Sequence, residues 1–296
     1  MCFMSEINLR SGKTRIVIRE AIINGYVPLG EALRRWFLGG EYGGVRIDFS
    51  DIQKYKKSDT LVILGSGPSF TRVDAEVSQF LRGCDTFGIN FSFLNPHIIP
   101  TYQIISYEPD GTAQAVLSRE VRRRSQTLAS VVFMVSDKML WRFGHPRIMR
   151  EFYPDHPLWC RFSLSPNLAL INSALEFTDE QFDRTLTYRG TLTVALEIVR
   201  GFGYKKIVLA GVDPFSGAHF FDDYQDMQDY VAYQKARHPK MTVYENMIPK
   251  RGKELTIDMY LHALREYMQR KYGTQLCTLF SDDQLAGILP PSDLVQ

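Results

Sequence analysis

The sequence predicts an α/β protein, a mainly parallel Rossmann-like sheet with helices on both faces, plus a small lid subdomain and an N-terminal extension. Three observations predict it. Short apolar runs such as Leu61-Val62-Ile63-Leu64 and Ile207-Val208-Leu209-Ala210 alternate with stretches of helical length, the rhythm of strands joined by crossover helices. Two of those runs end in glycine-rich loops, Gly65-Ser66-Gly67 and Gly211-Val212-Asp213, as strands do where they deliver backbone to a ligand. The chain has 296 residues, 45% of them apolar, enough for one large soluble core.

Residues 1–58 precede the first glycine-rich strand and read as the extension. Within them Leu29 to Leu38 is amphipathic, with Leu33, Trp36 and Phe37 as its apolar stripe and Gly39-Gly40 as its stop; packing on the core and docking on a membrane or partner are both open to it. The Rossmann-like domain fills 59–296. Alternating patterns place strands near 60–64, 85–89, 102–106, 129–135, 206–210 and 275–279, and helices near 72–82, 111–124, 191–201, 223–236 and 255–271. Residues 140–187, rich in aromatics, His and Pro, break this rhythm and are expected to form a lid over the strand ends.

A formal charge of +2 gives no global reason to expect nucleic acid, although Arg122-Arg123-Arg124 and Lys250-Arg251-Gly252-Lys253 are local basic clusters suited to solvated surface or to anionic lipid. Cys2, Cys84, Cys160 and Cys277 are far apart, without zinc-type spacing, and read as free thiols of a reducing compartment. No run is long enough to span a bilayer, and the N-terminus lacks a signal-peptide core. The expectation is a cytoplasmic protein, with peripheral contact at the inner membrane left open.

The chemistry is concentrated at the strand ends. Gly65 and Gly67 are expected to reach positive φ and leave room for close approach, and Ser66, Pro68 and Ser69 complete a turn whose amides and hydroxyls suit an anion. No Gly-Lys-Ser/Thr follows, so the loop is not a Walker A motif, and it lacks the third glycine of a dinucleotide fingerprint. Arg189-Gly190-Thr191 opens a helix, where Arg189 offers a charge-assisted donor to phosphate or carboxylate. Asn90 ends the second strand and offers both a donor and an acceptor. Tyr107 can stack on a base; Glu108, and Asp110 beside it, can serve as general base or, for Asp110, as a helix cap. Asp213 suits turn capping or ligand binding, and Phe215 follows it. His219 can accept a proton as a neutral ring or steady an anion as an imidazolium.

Taken in order, these loops resemble glycosyltransferase family 42, the bacterial sialyltransferases that use CMP-sialic acid. Gly65-Ser66-Gly67-Pro68-Ser69 is similar to the family's Gly-Asn-Gly-Pro-Ser. Asn90 matches an Asn at a strand end, and Tyr107-Glu108-Pro109 matches an aromatic-Asn-Pro signature. Arg189-Gly190, Gly203-Tyr204-Lys205 and Gly211-Val212-Asp213 match the later Ser-Gly, Gly-Tyr-Lys and Gly-Ile-Asp, and Ser281 with Leu285-Ala286 matches the tail. The resemblance covers residues 60 to about 290. It implies a nucleotide-sugar-binding domain, a CMP-activated donor, a cell-surface glycan acceptor and no cofactor. It also marks departures: Phe215 and His219 stand where the family has phosphate-holding tyrosines, Glu108 replaces an asparagine, and Lys250 to Lys253 stand where its general-base histidine falls.

A second resemblance is to the hydroxymethylpterin pyrophosphokinase-like domain, carried by the Gly-Pro-Ser loop, Gly190-Thr191-Leu192-Thr193-Val194 and the Gly-Val-Asp strand end. It implies magnesium on ATP. A catalytically inactive nucleotide-binding protein is the third alternative, and the departures are what suggest it.

Overall fold

In the computed structural model, residues 53–106, 111–136, 162–164, 184–186, 190–214, 216–237 and 256–294 are described. Strand β1 (Thr60–Leu64) runs through a 3-10 turn (Pro68–Arg72) into helix α1 (Ala75–Leu81) and β2 (Asp85–Ile89). A second 3-10 turn (Ser92–Leu94) leads to β3 (Tyr102–Ser106), α2 (Gly111–Arg123) and β4 (Val132–Ser136). Two short strands, β5 (Phe162–Leu164) and β6 (Arg184–Leu186), pair in parallel before α3 (Thr191–Arg200) and β7 (Lys206–Ala210). A 3-10 turn (Gln225–Met227), α4 (Gln228–Arg237), α5 (Ile257–Tyr272) and β8 (Gln275–Thr278) complete the order.

Six strands form one all-parallel sheet in the order β4-β3-β2-β1-β7-β8. The chain walks outward from β1 to β4, then returns to the other side of β1, so the strand order reverses between β1 and β7. That reversal is the switch point beyond which ligands of open α/β sheets bind.

The alternation within the central strands explains the helices on both faces. Leu61, Ile63, Ile207 and Leu209 lie in one core with Leu196 and Val199 of α3 and Leu264 and Met268 of α5. Val62, Leu64 and Val208 lie in the other with Val116 and Leu117 of α2 and Tyr230 and Val231 of α4. All of β1 from Leu61 to Leu64 is fully buried, and each such side chain contributes about 1.5–3 kcal/mol over its exposed state. A strand covered on both faces reads as an unbroken apolar run, as this one does.

The helix ends follow from single residues. Asp74 caps α1, its Oδ1 accepting from the amides of Glu76 and Val77 at 2.9 Å each. This cap sets the start of the helix expected at 72–82 at Ala75, and Arg72, where the helix was expected to begin, closes the preceding 3-10 turn instead. Gly273 ends α5 in the left-handed region (φ 67°) with its N–H on the carbonyls of Met268 and Gln269, the usual glycine stop. The strand expected from 129 begins at Val132, because residues before it are still in turns, Val131 N–H bonding to the Leu128 carbonyl at 3.0 Å.

Approaching β1, the chain is tied to the amino edge of the sheet: Asp85 Oδ2, buried, accepts from the amides of Lys57 (2.8 Å) and Ser58 (3.1 Å) and from the Tyr204 hydroxyl (2.9 Å). The expected extension through residue 52 lies outside the described residues, as does the expected lid apart from β5 and β6. Among the described residues Cys84 and Cys277 are free thiols, Cys2 and Cys160 are not described, and no described helix is long and apolar enough to cross a membrane.

Candidate functional site

At the carboxyl edge, the loops after β1 and β7 are bonded to each other. Gly65 N–H donates to the Ala210 carbonyl at 2.7 Å and Gly67 N–H to the Gly211 carbonyl at 2.8 Å, carrying the strand pairing two residues past the strands. The glycines are needed for this approach. A Cβ on Gly65 would stand 2.2 Å from Gly211 O, and one on Gly67 would stand 2.2 Å from Asp213 Oδ2. Neither glycine has positive φ; Gly67 is extended at φ −70°, and the left-handed residue of the pair of loops is Gly211 at φ 65°. The expectation of positive φ at Gly65 and Gly67 is therefore corrected: close packing, not conformational freedom, selects glycine there.

The anion expected on this turn has a counterpart within the chain. Asp213 Oδ2 accepts the Ser69 amide at 2.8 Å, at the start of the 3-10 turn, and Asp213 is buried. Ser66 Oγ donates to the Ile89 carbonyl at 3.1 Å, tying the loop to β2. Pro68 opens the 3-10 turn, and Ser69 Oγ is buried with no hydrogen-bond partner. The Gly67 and Ser69 amides thus serve as internal struts, so the loop is a built wall more than an open cradle.

A second set of polar groups lies one strand over. Asn90 follows β2 directly and lies in the left-handed region at φ 52°, a conformation that asparagine tolerates better than most residues. Its carboxamide meets Thr191 Oγ1, with Nδ2 at 3.3 Å and Oδ1 at 3.4 Å. Thr191 is the first residue of α3, and the preceding Gly190 has φ 151° and no side chain to cap the helix. A Cβ at Gly190 would meet nothing within 4 Å, so glycine is required there by conformation and leaves open space. The first turn of α3 carries no acidic residue. The start of this ten-residue helix therefore presents amides and the positive end of its dipole beside Asn90.

His219 reaches the same edge from the loop after β7. Its Nδ1 lies 3.3 Å from the Ser66 carbonyl, which also accepts the Phe220 N–H at 3.2 Å, and its own N–H donates to Asp222 Oδ2 at 3.0 Å. The ring stacks on Phe221 at 4.9 Å and 11°. Since a carbonyl can only accept, the contact assigns the proton to Nδ1 and makes Nε2 the acceptor of the neutral ring. Burial lowers the pKa of this imidazole below its ordinary value, against the opposing pull of Asp222 and the Ser66 carbonyl. The neutral ring is thereby favoured near pH 7, which suits proton acceptance better than charge donation.

A polar cluster that the sequence did not signal joins the end of the 3-10 turn to the segment after β8. Arg72 reaches Asp282 at 2.7 Å and Asp283 Oδ1 at 3.8 Å, and its guanidinium lies 3.8 Å from the centre of the Phe280 ring. Asp283 Oδ1 is buried without a hydrogen-bond partner, while Oδ2 accepts the Phe280 amide at 3.1 Å. Burial, with the nearby Asp213 and Asp282 adding to it, raises the Asp283 pKa against the Phe280 amide and Arg72.

The structure thus gathers Gly65, Ser66, Gly67, Pro68, Ser69, Asn90, Gly190, Thr191, Asp213 and His219 at one edge. Tyr107, Glu108, Arg189 and Phe215, proposed with them, lie outside the described residues. Two functional candidates were missed. Gln103 and Ser92, both fully buried, hydrogen-bond beneath Asn90; a lone glutamine within the apolar run of β3 was the available signal. Among the described residues, no group of three or more His, Cys, Asp or Glu could hold a metal ion.

No family model matches the chain, and no curated protein matches it. Solved structures similar to it include the sialyltransferase CstII from Campylobacter jejuni in complex with the substrate analogue CMP-3FNeuAc, at 18% identity and a TM-score of 0.45 over 78% of this chain and 85% of that one. CST-II in complex with a trisaccharide acceptor and CMP is similar at 18% and 0.46, over 80% and 88%. The monofunctional α-2,3-sialyltransferase Cst-I from Campylobacter jejuni is similar at 16% and 0.45, over 84% and 83%.

Proposed function

We propose that this protein is a glycosyltransferase that moves a sialic acid or related ulosonic acid from a CMP-activated donor to a glycan acceptor. The observation that carries the reading is the convergence of the resembling segments: Gly65 to Ser69, Asn90, Gly190-Thr191 and Asp213 come from separate stretches of chain and meet at one edge of the sheet. Motif order in a sequence does not require such a meeting.

In this reading the donor phosphate lies at the start of α3, where main-chain amides and the helix dipole favour an anion, and Asn90 addresses the nucleoside beside it. The wall formed by the β1 and β7 loops fixes the position of His219. Its neutral Nε2 takes the proton of the acceptor hydroxyl as the glycosidic bond forms and CMP departs. Arg189, next to Gly190 in sequence, adds positive charge for the leaving phosphate, Tyr107 and Phe215 border the nucleotide, and Glu108 is the competing base. No redox group is required, since the reaction transfers no electrons. The acceptor is proposed to be a cell-surface lipopolysaccharide or capsule glycan, and the site of action the cytoplasmic side of the inner membrane.

A thermal-shift series with CMP and ATP, each with EDTA or with magnesium, tests the donor. CMP should stabilise the protein in EDTA by about 2.7 kcal/mol once its concentration is a hundredfold above Kd. A response confined to ATP with magnesium would replace this reading with the pyrophosphokinase, no response to either would remove the nucleotide site, and CMP binding without turnover would favour the inactive nucleotide-binding protein. With a competent donor and acceptor, His219→Ala should lower kcat by about a hundredfold or more while the Kd for CMP changes little. Near-normal turnover in His219→Ala with loss in Glu108→Gln would move the base to Glu108.

A further inference from the structure

The geometry points to Gln103 as a positioning residue that holds Asn90 in its left-handed conformation through a buried hydrogen-bond network, and so sets where the Asn90 carboxamide meets the start of α3. The inference rests on the reading of that edge as the nucleotide site.

Asn90 is the one non-glycine residue at positive φ among the described residues, and such a conformation persists only where the surroundings over-determine it. Both of its main-chain polar groups are held. Its N–H donates to the Ile104 carbonyl at 2.8 Å, as the strand pairing continues. Its carbonyl accepts Gln103 Nε2 at 3.0 Å, and the same amide nitrogen donates to the Ile104 carbonyl at 3.0 Å. Gln103 Oε1 in turn accepts Ser92 Oγ at 3.3 Å. Every polar atom of the Gln103 side chain is thereby used, in a side chain with no exposure to solvent.

Room for that side chain comes from Gly88, where a Cβ would stand 2.1 Å from Gln103 Oε1 and 2.6 Å from Ser92 Oγ. Gly88 and Gln103 are register partners on β2 and β3. A glycine inside a fully buried strand normally weakens it, as does an amide in an apolar layer unless its hydrogen bonds are complete. Both liabilities occur at the same place, and both resolve into one outcome: a fixed carbonyl and a fixed φ at Asn90, whose side chain touches Thr191. Gln103 is too deep to meet a ligand itself and acts only through Asn90.

The test compares wild type, Asn90→Ala, Gln103→Met combined with Ser92→Ala, and the triple variant. Methionine keeps the length of the side chain, and Ser92→Ala removes the hydroxyl that would lose its acceptor. The readouts are the Asn90 side-chain amide signals by NMR in the free protein and the Kd for CMP by calorimetry. The Gln103→Met/Ser92→Ala protein should fold, shift and broaden the Asn90 amide signals, and bind CMP about tenfold more weakly, the equivalent of one hydrogen bond. Adding these changes to Asn90→Ala should weaken binding no further, because both routes remove one interaction. Unchanged Asn90 signals, or losses that add in the triple variant, would overturn the inference. Should wild type fail to bind CMP, the nucleotide reading falls, and the Asn90 signals alone decide whether Gln103 positions that residue.

Discussion

Replacing Gly67 with alanine should be among the most damaging single-methyl changes available in this protein, and the reason is local. The three atoms nearest to the added Cβ all belong to Asp213: Oδ2 at 2.2 Å, Cβ at 2.7 Å and Cγ at 2.8 Å. Asp213 must then leave the Ser69 amide that it holds at 2.8 Å. Loss of a hydrogen bond to a charged group costs about 1.5–3 kcal/mol and forcing an atom into filled space about 1–3 kcal/mol. The expected total is about 2.5–6 kcal/mol, a fall of about 5–24 °C in Tm for a chain of this size. Gly83→Ala is the control, since a Cβ there meets nothing within 4 Å, and it should stay within about 0.5 kcal/mol of wild type. In an Asp213→Gly background the Gly67→Ala change should lose most of its effect, as contacting residues do not add. Urea and thermal unfolding followed by circular dichroism measure wild type and the four variants. A Gly67→Ala Tm within about 2 °C of wild type, or an equal loss with and without Asp213, would refute the argument.

Three further expectations concern charge. Because burial lowers the His219 pKa, the unfolded chain takes up the proton first as pH falls, so the stability tied to the neutral ring is present above about pH 6.5 and lost below it toward the folded-state value; unfolding from pH 7 to 5 should show a smaller drop in His219→Phe. Asp283 has the opposite sign, its raised pKa meaning that stability is lost as pH rises through the folded value, and Asp283→Asn should match or exceed the wild-type Tm at pH 7. Glu197 and Arg200 form a buried pair at 3.0 Å, with the Tyr260 hydroxyl donating to the same carboxylate at 2.7 Å. Glu197→Ala, which takes this carboxylate from the buried arginine, should cost about 3–5 kcal/mol, and Glu197→Met with Arg200→Leu should cost less.

The sheet was legible because its strands are short apolar runs bounded by glycine or polar residues. Where one face of a helix or both faces of a strand must be covered, the pattern is written residue by residue, as in Leu61 to Leu64. Boundaries shifted where a single side chain decides the end: the Asp74 cap moves the start of the helix expected at 72 to Ala75 without breaking the periodicity strongly enough to show it. The site was legible as a set of loops but not as a geometry. Gly65 and Gly67 look like freedom in the sequence and are close packing in three dimensions, since the contact with Gly211 and Asp213 spans some 145 residues. The Asp213 carboxylate at Ser69 was invisible for the same reason. Asn90 was singled out by the resemblance to a family whose second strand ends in Asn, whereas its positive φ depends on Gln103, thirteen residues on and in the next strand.

The seam between the β1 and β7 loops has a consequence for how a ligand is met. Because Gly65 and Gly67 are stitched to Ala210 and Gly211 by the same kind of bonds that hold the strands, this side of the edge shares the stiffness of the sheet. A guest arriving there finds its shape already set and loses little affinity to ordering the host. Discrimination on this side is that of a mould, in which a guest of the wrong outline is refused without any part of the rim having moved.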